Sequence, residues 1–267
     1  MFGAMLGDII GSRFEFDIGG KTKDFVLFTK EDDYTDDTVM TVAVADALLK
    51  AGKEADEATV ISFLIDRMQY YGRKYPYAGY GSRFIHWLHA DDPQPYNSYG
   101  NGSAMRVSAA GWLYDSLDRT REVARWTAAV SHNHPEGIKG AECTAAVIYL
   151  SRTGMAKNDI RDYVISNFGY DLSETVDQMR LRHQHIESCM DSMPKALVSF
   201  FEGDSFKDVI RNAVSLGGDT DTIGAIAGAM AEGFYPLSKD IIDKGLAYLP
   251  EDLSEVLQKV KTDGQTL

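Results

Sequence analysis

The stretch that decides the fold is residues 222–233, which read TIGAIAGAMAEG. Its apolar residues recur with a helical period, and Gly224, Gly228 and Gly233 lie among alanines. Residues four positions apart share one face of a helix, and glycine leaves that face without side chains. We therefore predict a helix that packs very closely against a second one. A phosphate-binding glycine loop is the weaker interpretation, because no Lys-Ser/Thr pair follows.

Two short acidic clusters each lead into an apolar, helix-forming run. Asp219-Thr220-Asp221-Thr222 precedes the helix above, and Thr35-Asp36-Asp37-Thr38 precedes residues 38–50, which end before Gly52. Carboxylates and hydroxyls are ligands that hard divalent cations prefer. If the fold joined the clusters, like charges in a small volume would need compensation, for which a pair of divalent ions is suited. Either cluster alone would also suit a helix N-cap, with Asp36 or Asp37 capping the first helix.

Helical periods dominate the rest of the chain, and no linker-like segment divides it. We predict an all-α fold, a compact orthogonal multi-helix bundle, in a single domain over residues 1–267. Predicted helices include residues 103–113, 176–188 and 194–202. Residues 24–29 are the one segment with an extended pattern.

Composition excludes several classes of protein. A formal net charge of −13 argues against nucleic acid as a partner. We find neither a transmembrane apolar run nor a signal peptide and expect no membrane association. The two cysteines, Cys143 and Cys189, stand in apolar surroundings and predict no disulfide framework. We therefore expect a cytoplasmic protein, and the sequence does not indicate its oligomeric state.

Further polar residues stand in glycine-rich connections or in apolar surroundings. Residues 99–106, YGNGSAMR, suit either an anion site at a helix start or a tight turn capped by Ser103. His132 and His134, in SHNHP, lack partners at zinc-ligand spacing, which leaves a phosphate-contacting or a structural histidine. Asp8 lies in an apolar segment and needs a buried partner. Glu15 follows Gly11-Ser12 on what we expect to be a mobile loop, or is an ordinary surface glutamate.

These motifs together resemble those of the ADP-ribosylglycohydrolase family, which includes dinitrogenase reductase-activating glycohydrolases and ADP-ribosylhydrolases. The resemblance runs from residue 3 to about residue 235. It rests on motifs in the family's order: GAMLGDIIGSRFE, YTDDT, YGNGSAMRV, SHNHPEG and SLGGDTDTIGAIAGAMAEG.

The resemblance implies a compact all-α fold whose central cleft holds two Mg²⁺ or Mn²⁺ ions. It implies six metal ligands: Thr35, Asp36, Asp37, Asp219, Asp221 and Thr222. Asp8 would support the ligands from beside the metals, and Glu15 would be the acid/base on a movable flap, with Asp36 or Asp37 as its competitor. His132 would approach the substrate diphosphate. The substrate groove would include Gly100, Asn101, Gly102, Ser103 and Met105.

The implied reaction is hydrolysis at the anomeric carbon of the distal ribose, which releases ADP-ribose from a modified protein or a small conjugate. Arginine, serine, O-acetyl-ADP-ribose and nucleobase linkages remain open. So do a non-catalytic, crystallin-like ADP-ribose binder and a two-metal nucleotide phosphohydrolase. Aromatic residues that would stack on adenine or flank the acceptor, or simply pack, are Phe14, Tyr77, Tyr80, Tyr96 and Tyr99.

Overall fold

The computed structural model describes residues 1–182 and 185–264, with side chains up to residue 260. Across these residues the chain forms helices and no strand. The helices are α1 Phe2–Ser12, α2 Asp36–Ala51, α3 Glu57–Lys74, α4 Ser82–His89, α5 Gly102–Met105, α6 Ser108–Leu113, α7 Leu117–Ala129, α8 Pro135–Arg152, α9 Lys157–Phe168, α10 Val176–Arg180, α11 Cys189–Glu202, α12 Phe206–Val214, α13 Thr220–Phe234, α14 Lys239–Leu246 and α15 Glu251–Gly264. The predicted all-α class is confirmed.

The start of α2 differs from the sequence prediction in its capping residue. Thr35, rather than Asp36 or Asp37, is the N-cap, and its hydroxyl accepts from the backbone N–H of Asp37 at 3.3 Å. At the other end Gly52 has φ +84°, a conformation that suits glycine, and it ends α2 as predicted. The aspartate side chains are therefore free of the capping role.

Four other local predictions need correction. Residues 103–113 form two helices, α5 and α6, because the chain turns at Arg106 and Val107. The helix predicted over residues 176–188 ends at Arg180, and residues 183 and 184 lie outside the described residues. The helix predicted from residue 194 begins at Cys189 and continues through Pro194. Residues 24–29 are irregular rather than extended into a strand.

Helix α1 is the partner that packs against the glycine face of α13. A Cβ placed on Gly3 would lie 2.1 Å from the carbonyl oxygen of Gly228, and one on Gly7 would lie 1.9 Å from that of Gly224. Near the end of α1, the hydroxyl of Thr220 donates to the carbonyl oxygen of Gly11 at 2.9 Å. The two backbones therefore touch along the length of α1, and the predicted close helix contact is confirmed.

This contact puts α1 at the centre of the molecule. Residues 2–11 of α1 are buried, and residues 220–231 of α13 are buried as well. Helix α2 packs beside both α1 and α3. The starts of α2 and α13, which carry the two acidic clusters, consequently face the same part of α1.

No helix in the described part of the chain combines the length and the apolar character that a membrane crossing requires.

The helix contact makes a stability prediction. We expect Gly7→Ala to lower the free energy of unfolding by about 3 kcal/mol or more, because the new methyl group collides with backbone that cannot yield cheaply. Gly81→Ala is the matched control, since its Cβ would meet open space at an ordinary φ of −60°. Chemical denaturation measures both. Equally small losses would show that α1 and α13 are not in backbone contact.

Candidate functional site

The starts of α2 and α13 meet beside α1, so that the two acidic clusters share one volume. Carboxylate oxygens of Asp8, Asp37 and Asp221 all lie within 4.8 Å of one another. Carboxylate oxygens of Glu15, Asp219 and Asp221 also lie within 4.8 Å of one another. Asp221 belongs to both groups and therefore links them.

Asp8 organises the start of α2. Its Oδ2 accepts from the backbone N–H groups of Thr35 and Thr38, each at 3.0 Å, and its Oδ1 accepts from the Thr35 hydroxyl at 2.8 Å. Asp8 is completely buried. Burial, and next the charge of Asp221, raise the pKa of Asp8 to about 7. Helix α1 thus fixes the first acidic cluster through one carboxylate.

The side chains of Asp36 and Asp37, at the start of α2, point in different directions. The hydroxyl of Thr222 donates to Oδ2 of Asp37 at 3.0 Å, which joins the two clusters directly. Asp36 lines a cavity, whereas Asp37 is buried beneath it. Burial, and next the charge of Asp221, raise the pKa values of both carboxyls well above their ordinary range. Asp36 is therefore the better placed of the two to contact a substrate.

Asp219 is held from the glycine-rich segment. The side-chain amide of Asn101 donates to Oδ2 of Asp219 at 2.5 Å and to the hydroxyl of Ser192 at 2.8 Å. Burial and the neighbouring Asp221 raise the pKa of Asp219 well above its ordinary range. Asn101 thus lines the cavity and also orients a carboxylate of the second cluster, a role that the sequence did not predict.

Glu15 reaches the same cavity from a short 3₁₀ turn, Glu15–Asp17. Phe16 in this turn has φ +59°, and its backbone N–H donates to the carbonyl oxygen of Gly218 at 3.0 Å. In return, the N–H of Gly218 donates to Oδ1 of Asp17 at 2.9 Å. The turn is therefore tied to the loop before the second cluster. Burial, and next Asp221, raise the pKa of Glu15 to about 7.

The cluster fits a divalent cation. Its donors are all oxygen atoms, and Oδ1 of both Asp37 and Asp221 is buried without a hydrogen-bond partner in the described part of the chain. No lysine or arginine within residues 1–182 and 185–260 forms an ion pair with these aspartates. Buried carboxylates without a counter-charge need one, and a hard cation with oxygen ligands supplies it.

The cavity beside the cluster has a volume of about 350 Å³. The part of its lining formed by the carboxylates of both clusters and Glu15 is its acidic side: Glu15, Asp36, Asp219 and Asp221. The other charged and aromatic lining residues are Arg83, Phe84, Tyr96, Arg106, His132 and Glu187. The residues predicted for the site that line it are Glu15, Thr35, Asp36, Gly100, Asn101, Gly102, Met105, His132, Asp219, Asp221 and Thr222. Asp8 and Asp37 lie behind its wall.

The predicted substrate contact of Ser103 needs correction. Ser103 is completely buried, and its hydroxyl donates to the carbonyl oxygen of Gly137 at 2.7 Å, so that it ties the glycine-rich segment to α8 instead. It is also not the helix cap, since α5 begins after Asn101 without a side-chain cap. Of the two histidines of SHNHP, His132 reaches the cavity and His134 caps α8 by accepting from the N–H of Glu136.

The aromatic candidates are mostly not in the cavity. Tyr96 lines it, but Phe14 packs on Phe25 and Tyr80 packs on Phe84. Tyr77 is 99% exposed, and Tyr99 is half exposed against His134. The lining residues that sequence reasoning missed include three large side chains, Arg83, Phe84 and Glu187. Their surroundings in the sequence carry no chemical motif, so that only the tertiary structure identifies them.

Comparisons with known proteins identify a family and several relatives. A family model described as ADP-ribosylglycohydrolase matches residues 1–261. The human protein named ADP-ribosylhydrolase ARH3 is 27% identical over 317 aligned residues, covering 89% of this chain and 84% of that protein. The ADP-ribosylarginine hydrolase Tri1 of Pseudomonas putida is 26% identical over 271 aligned residues, covering 89% and 70%.

A solved structure is also similar. It is described as an ADP-ribosylglycohydrolase-related protein complex and superposes with a TM-score of 0.73 at 21% identity, covering 99% of this chain and 97% of that chain. This likeness confirms the fold.

The raised pKa values predict how metal removal affects stability. In a chelator, Asp8 and Glu15 keep protons in the folded state up to about pH 7, whereas the unfolded chain releases them near pH 4. The folded state therefore binds more protons between these values, and its stability falls as the pH rises through that window.

We expect the melting temperature of the chelated protein to fall between about pH 5 and pH 7.5, and saturating Mg²⁺ or Mn²⁺ to reverse most of the fall. Differential scanning calorimetry with and without chelator checks this. A chelated protein whose stability rises over the same range would contradict the buried, uncompensated cluster.

Proposed function

This chain belongs to the ADP-ribosylglycohydrolase family and is a glycosyl hydrolase, and we propose that it is a metal-dependent enzyme that releases ADP-ribose from a modified protein or a small conjugate. The observation that carries the proposal is the convergence of both acidic clusters at the wall of one cavity. All six oxygen-bearing residues that the family resemblance implies are present at that wall or directly behind it.

We assign the metal ligands to both clusters. The proposed ligands of two Mg²⁺ or Mn²⁺ ions are Thr35, Asp36, Asp37, Asp219, Asp221 and Thr222. The unpartnered oxygens of Asp37 and Asp221 support this assignment. Bound ions would neutralise the carboxylates and would orient ribose hydroxyls and water at the reacting carbon. Asp8 would keep Thr35 in place through two hydrogen bonds, and a third, from the backbone N–H of Thr38, would hold the start of α2.

The charged groups that line the cavity suggest an orientation for the substrate. The diphosphate would lie toward His132, Arg83 and the glycine-rich segment, where donors and positive charge are available. The distal ribose would then lie at the acidic side, against Glu15 and Asp36. Tyr96, which also lines the cavity, is the aromatic ring available beside the nucleotide.

Glu15 is the proposed acid/base. With a pKa of about 7 it exists in both protonation states near neutral pH, which suits a group that must give and take a proton. The bond from the anomeric carbon to the acceptor breaks and the acceptor leaves with a proton. Water forms the new bond to that carbon and loses a proton. Carboxylates on the acidic side stabilise positive charge that develops on the ribose.

The location of the enzyme is also a proposal. Cys143 and Cys189 are both buried and free of a disulfide, which supports a reducing, cytoplasmic setting.

The acceptor is best identified with a panel of arginine-, serine- and nucleobase-linked conjugates and O-acetyl-ADP-ribose. Release of ADP-ribose from each is analysed by mass spectrometry with and without chelator.

The metal assignment predicts the effect of two substitutions. We expect Asp36→Asn and Asp221→Asn each to reduce ADP-ribose release by at least about 100-fold, because each removes a ligand charge from the cluster. Calorimetric titration should show weakened Mg²⁺ or Mn²⁺ binding in both. Asp159→Asn, an exposed position on α9, is the control and should change neither.

The products separate the alternatives. Full activity in both variants with metal still bound would refute the assignment. Inorganic phosphate in place of ADP-ribose would indicate a phosphohydrolase, and ADP-ribose binding without turnover of any conjugate would indicate a non-catalytic binder.

The role of Glu15 gives a separate prediction. Glu15→Gln should lower kcat by about 100-fold or more while KM changes little, since the amide fills the same space but cannot transfer the proton. Glu31→Gln, at an exposed position of the same connection, is the matched control. Steady-state kinetics on the best conjugate of the panel measures both. A Glu15→Gln variant with unchanged kcat would remove Glu15 from the mechanism.

A further inference from the structure

The ring of His132 has one edge in the protein and one edge at the cavity. Its Nδ1 lies 2.8 Å from the hydroxyl oxygen of Ser131. Its Nε2 faces the glycine-rich segment, since a Cβ added to Gly102 would lie 3.1 Å from it and one added to Gly100 would lie 3.4 Å away. The atom that meets a ligand is therefore Nε2, and its chemistry depends on which nitrogen carries the proton.

The Ser131 hydroxyl also contacts a buried arginine. Arg106 is 1% exposed, and its Nη2 donates to Ser131 Oγ at 2.8 Å and to the carbonyl oxygen of Thr127 at 3.0 Å. A guanidinium has no acceptor and stays protonated, so that Ser131 Oγ must be the acceptor in this contact. The direction of this hydrogen bond is therefore fixed, with Arg106 as the donor and Ser131 as the acceptor.

The remaining bond of Ser131 then has one favourable direction. Ser131 is completely buried, and the partners of its hydroxyl among the described residues are Arg106 and His132. If Nδ1 of His132 carried the proton, the Ser131 hydroxyl proton would be buried without an acceptor, which is strongly unfavourable. With Nδ1 unprotonated, Ser131 donates to it and every contact is satisfied.

We propose that Arg106 and Ser131 hold His132 in the tautomer that carries its proton on Nε2, so that the ring presents a fixed N–H donor to the cavity. Arg106 and Ser131 are positioning residues, because they act through His132. The inference rests on the proposed function only in identifying the acceptor as a diphosphate oxygen of ADP-ribose.

The neutral state of the ring agrees with this arrangement. Burial, and then the charges of Arg106 and Arg83, hold the pKa of His132 well below its ordinary range. A neutral ring has one donor and one acceptor nitrogen, so that the tautomer decides the sign of its interaction with an anion. The opposite tautomer would turn a lone pair toward the phosphate oxygens and repel them.

Nitrogen NMR of the unliganded protein tests the tautomer directly. Histidine is labelled with ¹⁵N, and the His132 signals are assigned by their loss in His132→Asn. We expect protonated Nε2 and unprotonated Nδ1 in the wild-type protein and in Ser131→Thr, which keeps the hydroxyl. We expect Ser131→Ala to lose this preference. Ser108→Ala removes another buried hydroxyl, one without a hydrogen-bond partner in the described part of the chain, and should leave the spectrum unchanged.

Calorimetry with ADP-ribose tests the consequence. Ser131→Ala should weaken binding by about 10-fold, with Ser131→Thr restoring most of it and Ser108→Ala having no effect. In turnover, the loss should appear in KM more than in kcat. A protonated Nδ1 in the wild-type protein, or an unchanged tautomer in Ser131→Ala, would overturn the inference. The NMR and calorimetry results do not depend on catalysis. Failure of this inference is therefore distinguishable from failure of the proposed function.

Discussion

The backbone contact between α1 and α13 is the constraint on which the rest of the structure depends. Gly3 and Gly7 meet Gly228 and Gly224 with no room for a Cβ, and this proximity fixes the position of Asp8 relative to the start of α13. Asp8 in turn binds the start of α2 through two N–H groups and a hydroxyl. A purely steric contact between glycines therefore determines where the two acidic clusters meet. Side chains on that face would separate the helices and with them the carboxylates.

Repulsion among the buried carboxylates of the cluster destabilises the folded state that brings them together. Burial and mutual repulsion raise the pKa values of Asp8, Asp36, Asp37 and Asp219, so that without a counter-charge the cluster favours partial protonation. The same arrangement would favour the proposed ions, because donors already assembled in the folded state need little reorganisation to bind a cation. The helix contacts far from the cavity supply the free energy that keeps these like charges together.

The sequence predicted the helix class, the close contact of α13 and the acidic clusters because each depends on local pattern. Its partner helix was also visible in principle, since Gly3, Gly7 and Gly11 repeat the same spacing. The break between α5 and α6 was not visible, because the helical pattern continues across Arg106 and Val107. Nor was the burial of Ser103, or the contact between Asn101 and Asp219. These depend on which distant element packs against a segment, and periodicity does not contain that information.

The paired hydrogen bonds between the Glu15–Asp17 turn and Gly218 have a mechanical consequence. Phe16 donates to Gly218, and Gly218 donates to Asp17, so that the turn and the residue preceding Asp219 behave as one unit. If the turn moves away from the cavity, either both hydrogen bonds break or Gly218 moves with the turn. Movement of the turn to admit a bulky conjugate would consequently also displace the start of the second acidic cluster. If that cluster holds ions as proposed, full opening would weaken their binding.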